Sequence, residues 1–136
     1  MVERVTDLPA VDGAKEARRW MDEARVSHDP AAIRTEMART AREQADAAVA
    51  ELEATATFAK LRETDPDLAE RIKVSVHHRA AETYFVKVER AAERLRSSAE
   101  RRAVKGADDA VGRATDDYTA ADTILDATAV KPVRGN

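Results

Sequence analysis

Cysteine is absent from these 136 residues, which excludes disulfides, thiolate metal sites and cysteine nucleophiles. Aromatic residues make up only 4%, so there is little material for a core of large side chains. Glycine and proline number four each, and the glycines are isolated. They form no Gly-rich phosphate loop and no Gly-x-Ser-x-Gly elbow. Neither sign of charge dominates: 23 Lys and Arg stand against 26 Asp and Glu, for a net charge of −3. Interspersed charges of this kind argue against a general polyanion binder. No apolar run approaches the ~20 residues of a membrane span. The first residues, Val2-Glu3-Arg4-Val5-Thr6-Asp7, lack the apolar centre of a cleaved leader. The expectation is a protein without a membrane span, cytoplasmic or exported without a cleaved signal peptide.

What the chain does contain is alanine, arginine and helical periodicity. Arg is heavily favoured over Lys, an actinobacterial-like, GC-rich composition. The length fits one domain. Each buried alanine removes little apolar area, at about 25 cal/mol per Å², so stability is expected to lean on helix length or oligomerisation.

Met1 to Gly13 reads as a flexible arm, with Pro9 and the Asp12-Gly13 turn pair. Helices are predicted at about 14–26, 30–63, 66–104 and 107–129, within a single helical domain 14–129, followed by a flexible tail 130–136. Ala17, Trp20, Met21 and Ala24 form the apolar face of the first helix, with Trp20 as a core plug. Asp29-Pro30 and Asp65-Pro66 are helix starts, each with a capping carboxylate ahead of a proline at the first helical position. Between them Ile33, Met37, Ala41, Ala45, Ala48, Leu52, Ala56 and Ala59 keep one face. Two long helices joined by a tight connection run antiparallel. The fold class is therefore all-α: a long antiparallel helical hairpin or small bundle with an additional short N-terminal helix.

From Leu68 onward a second stripe continues through Ile72, Phe85, Val88, Ala92, Leu95, Ala99 and Ala103 to Ala114, Tyr118, Ala121 and Leu125. It keeps phase across Gly106 and Gly112. A helix continuous through Gly106 is favoured over a turn there, with a kink satisfying both readings. Such a helix overshoots its partner, so the apolar seam after Ala99 needs a second molecule unless the chain folds back at Gly106. The expected interface is Val111, Ala114, Tyr118, Ala121, Asp122, Ile124 and Leu125. The expected partner is another helical protein or a second copy.

No catalytic constellation emerges, and no cofactor or small-molecule substrate is implied. His77 and His78 precede Glu82, and His78 with Glu82 is an i, i+4 pair, but two ligands do not make a metal site. Lys87, Arg90, Arg94, Arg101 and Lys105 share a helix face able to track phosphates. Glu82, Glu89, Glu93 and Glu100 lie in the same turns, so a salt-bridged, solvated face is the plainer reading.

One short motif carries a mechanism. Asp117-Tyr118-Thr119-Ala120-Ala121-Asp122 sets an aromatic and a carboxylate four residues apart, side by side on a helix. It resembles the Tyr-x-x-x-Asp/Glu export signal that follows the helical hairpin in substrates of actinobacterial and related type VII secretion systems. The resemblance implies export without a cleaved leader, or an accessory role beside such substrates. The turn here reads Glu63-Thr64-Asp65-Pro66-Asp67, where the small hairpin substrates carry Trp-x-Gly. The expectation is thus a non-enzymatic helical interaction module, with two alternatives. One is a helical nucleic-acid-binding protein using the basic stripe. The other is a structural or scaffold oligomer resembling a coiled coil, such as a phage or assembly component.

Overall fold

The computed structural model describes residues 11–105 and 108–129. Among these, five α-helices follow one another: α1 (Gly13–Ser27), α2 (Pro30–Glu53), α3 (Ala56–Thr64), α4 (Pro66–Lys105) and α5 (Asp108–Thr128). No strand occurs among the described residues, and the all-α expectation holds. No helix there is long and apolar enough to cross a membrane. The tail 130–136, Gly106 itself and most of the expected N-terminal arm lie outside the described residues.

The helix ends follow the capping chemistry of the sequence. Asp12 accepts a hydrogen bond from the Lys15 amide at 3.1 Å and opens α1. His28 closes it in the left-handed region, φ 51°, donating its amide to the Ala24 carbonyl at 2.9 Å. Asp29 accepts from the Ala31 amide at 3.0 Å, ahead of Pro30. Asp65 accepts from the Leu68 amide at 3.1 Å, ahead of Pro66. Both Asp-Pro starts therefore cap as their chemistry requires.

The predicted helix 30–63 is two helices. Thr55 divides it: its hydroxyl donates to the Leu52 carbonyl at 2.8 Å and accepts from the Phe58 amide at 3.1 Å. One buried side chain thus ends α2 and caps α3. After the break, α3 buries Phe58 and leaves Ala56 and Ala59 exposed.

The chain forms two compact units, which α2 and α4 both help to build. The first comprises residues 38–84 with Val11. In it α2 and α4 run antiparallel, with Asp46 beside His77 and Glu53 beside Lys73. Ala45, Ala48 and Ala80 let the two backbones approach, and Val76 and Ala81 pack against them. Leu52, Phe58 and Ala69 form a second cluster, covered by Leu61, Ile72 and Val76.

The second unit comprises residues 12–37 and 85–129: α1, the start of α2, the end of α4, and α5. Its core holds Trp20, Met21, Ile33, Met37, Val88 and Ile124 among many alanines. Trp20, only 2% exposed, is the expected core plug. At the start of α1, an ideal Cβ on Gly13 would sit 2.6 Å from the Lys87 carbonyl oxygen of α4, so only glycine permits this approach.

The continuous-helix expectation is corrected here. Arg102 of α4 reaches Asp117 of α5 at 2.9 Å and Arg96 reaches Asp122 at 3.1 Å. In one straight helix, residues 102 and 117 would lie about 22 Å apart at 1.5 Å per residue. The chain instead reverses between α4 and α5, which run antiparallel. The expected interface changes with it: Ala114, Ala121 and Ile124 are fully buried and Leu125 is nearly so. Ala120, Thr123 and Ala127 are buried too, so the last turns of α5 are covered over more than half of their circumference, with Asp122 and Asp126 on the open side. Arg34 of α2 secures that end, donating to the Ala127 carbonyl at 2.7 Å. The apolar seam is satisfied within the chain, and the need for a second molecule to cover it falls away.

Candidate functional site

Two residues of the expected interface escape burial. Tyr118 is 37% exposed and the Asp122 side chain 45%, one turn apart on α5, whereas Ala114, Ala121 and Leu125 on either side of them are buried. A place in the apolar stripe with Ala114, Ala121 and Leu125 would make Tyr118 a core residue. The side chain instead lies at the solvent edge of α5, while Trp20, Phe58 and Tyr84 are all buried. Val111 is partly buried.

Arg96 of α4 completes the arrangement. Its guanidinium donates to the Asp122 carboxylate and lies 6.0 Å from the centre of the Tyr118 ring. The hydrogen bond that Arg96 donates to Asp122 is the largest influence on the guanidinium and raises its pKa, against a smaller opposing effect of burial. The guanidinium therefore stays charged and holds the aromatic and the acid in fixed relation on the surface.

A second cluster lies one turn back. Asp117 accepts from Arg25 of α1 and from Arg102 of α4. Arg25 also reaches Asp22 at 2.6 Å. Burial pushes the Asp117 carboxyl up, but the two guanidinium groups outweigh it and hold the group below the ordinary carboxylate range. A cleft beside this knot is lined by Arg18, Met21, Leu95 and Ser98 as well as by the ion-paired residues. The knot ties α1, α4 and α5 together. Pairings between residues so far apart in the chain leave no periodic trace, and this one was not anticipated.

The basic stripe lies where the sequence puts it. Lys87, Arg90, Arg94, Arg101 and Lys105 are all exposed on α4. None makes an ion pair with another described residue, so the anticipated salt-bridged face is not what forms. A shallow groove runs along part of the stripe, lined by Arg90, Glu93, Arg94, Ser97 and Arg101.

His77 and His78 lie in the other unit. His77 pairs with Asp46 at 2.9 Å. His78 lies 3.7 Å from Glu82, both strongly exposed. Among the described residues no three of His, Cys, Asp and Glu converge as metal ligands would. Comparison with protein families, with curated proteins and with solved structures finds no match for this chain.

Proposed function

We propose that this chain is a non-enzymatic helical recognition protein whose displayed element is the Tyr118–Asp122 pair. The observation that carries the reading is the exposure of Tyr118 between buried residues of its own helix. A side chain of that size, about a third exposed, forgoes burial worth on the order of 0.5–1 kcal/mol, which a recognition role explains. Tyrosine suits such a role, with an apolar ring and a polar tip.

The partner is a protein that takes an aromatic ring into a pocket and engages an adjacent carboxylate. It works on a folded chain, since the remaining apolar positions of α5 are occupied internally. The spacing supports an export address of the type VII kind. A competing guanidinium on the partner would have to displace Arg96 from Asp122, and this sets a threshold against weak, unspecific contacts.

The experiment is export of the full chain from a host that carries a type VII system, with Y118A and Y118F beside wild type. Y118A is expected to abolish export while helicity is kept and the thermal midpoint falls only modestly, because the ring lies at the edge of the core and not within it. Y118F should retain part of the signal. Export of Y118A at the wild-type level removes the reading.

A further inference from the structure

We propose that the Lys87–Lys105 face of α4 binds the phosphate backbone of duplex nucleic acid without regard to base sequence. The five cations share one face of the helix; of its other basic residues three are ion-paired, and exposed Arg71 and Arg79 lie before the lane begins. Arg96 and Arg102 are held by Asp122 and Asp117, and Lys73 by Glu53 and Glu70. Lys87, Arg90, Arg94, Arg101 and Lys105 are exposed, without an ion pair among the described residues.

Their spacing places like charges together. Arg90 with Arg94, and Arg101 with Lys105, are i, i+4 pairs of the same sign, an arrangement that weakens a helix unless an anion lies across it. Between Lys87 and Lys105 the lane runs about 27 Å, at 1.5 Å per residue. A duplex carries one negative charge per ~1.7 Å of its axis, so this length faces a dense row of phosphates. The lane is one-sided, which suits a backbone.

The acidic residues of α4 are separated from the lane. Glu82, Glu89 and Glu100 project roughly a third of a turn around the helix from it. Salt screens charges over about 8 Å at physiological ionic strength, so the net charge of −3 does not cancel the local groups Lys87, Arg90 and Arg94, and Arg101 and Lys105, in which successive members lie about one turn apart. Glu93 alone intrudes, lining the groove with Arg90, Arg94, Ser97 and Arg101. No aromatic side chain lies on the lane for stacking unpaired bases, which favours a duplex over a single strand. Val88, Ala91, Ala92 and Ala99 of α4 are buried in the core, and the exposed Val86 and Val104 are single side chains far apart on the helix, too little apolar surface for insertion into a lipid surface.

The test is fluorescence anisotropy of a labelled duplex of about 20 base pairs of arbitrary sequence, titrated with the full chain over a range of salt. If four to five phosphates are neutralised, affinity falls on the order of 10²-fold between about 50 and 200 mM salt. R94Q/R101Q should lower the salt slope by about 2 and leave helicity and thermal midpoint intact. E93Q should tighten binding. Absence of binding at about 50 mM salt, or an unchanged slope in R94Q/R101Q, overturns the proposal. So does failure of E93Q to bind more tightly. Equal or stronger binding to vesicles of phosphatidylserine overturns it too, because the occupant is then a membrane surface.

Discussion

At the scale of single residues, the sequence is most legible where a side chain acts on its own backbone, and least where it acts across helices. Asp12, Asp29 and Asp65 cap the helices they precede, and Trp20 fills the core. Asp117 could not be read this way, since its partners Arg25 and Arg102 lie on two other helices. That knot has a pH signature. Because the folded carboxyl titrates below its unfolded value, the stabilisation is full above the unfolded carboxylate range and lost as pH falls through the folded pKa. D117N should therefore be less stable than wild type near neutrality and approach it in acid, as urea titrations at stepped pH would show. A gap that persists unchanged into acid would assign the role to packing. Thr40 makes the opposite point: it is 5% exposed and its hydroxyl has no hydrogen-bond partner among the described residues. T40V keeps the shape and removes the unpaired group, so we expect a gain of up to about 1 kcal/mol in urea unfolding. A loss would show that the hydroxyl is satisfied in solution.

Among the elements, α2 shows how far periodicity reaches. Ile33, Met37, Ala41, Ala45, Ala48 and Leu52 are all buried, as their spacing requires. The stripe then continued in sequence through Ala56 and Ala59 while the chain did not, because Thr55 can serve two helix ends and alanine is too small to hold a phase alone. Gly106 posed the same difficulty in reverse: period is preserved across a reversal as readily as along a straight helix, so the fold-back was visible only from Arg96 and Arg102 meeting α5. The glycines of α1 and α5 should respond to substitution with opposite signs. G13A forces a Cβ against the Lys87 carbonyl oxygen, where the obstacle is backbone, and should cost about 1–3 kcal/mol as α1 retreats from α4. G112A meets nothing within 4 Å and should stabilise α5 by about 0.5–1 kcal/mol. Thermal midpoints of the two variants, measured side by side, check both signs; a stable G13A would mean that α1 does not approach so closely.

For the whole molecule, the composition foretold an alanine-rich helical protein but not how its apolar surface is divided. Hydrophobic periodicity identifies what must be covered and is silent on what covers it. The last third of the chain carries enough apolar positions to suggest a waiting partner, yet Ala114, Ala121, Ile124 and Leu125 are enclosed by α1, α2, α4 and α5 themselves. What remains outside includes Tyr118 with its neighbouring acid, scattered valines such as Val26 and Val104, and a row of cations. The candidate site is accordingly smaller than the seam, and polar where the seam is apolar. The decisive observation is hydrogen exchange at the amides of Ala121, Ile124 and Leu125, followed at two well-separated protein concentrations. The fold described here makes these amides among the slowest of α5 and their rates independent of concentration. Rapid exchange in dilute solution, with protection that grows as the protein is concentrated, would mean that another molecule covers this helix after all.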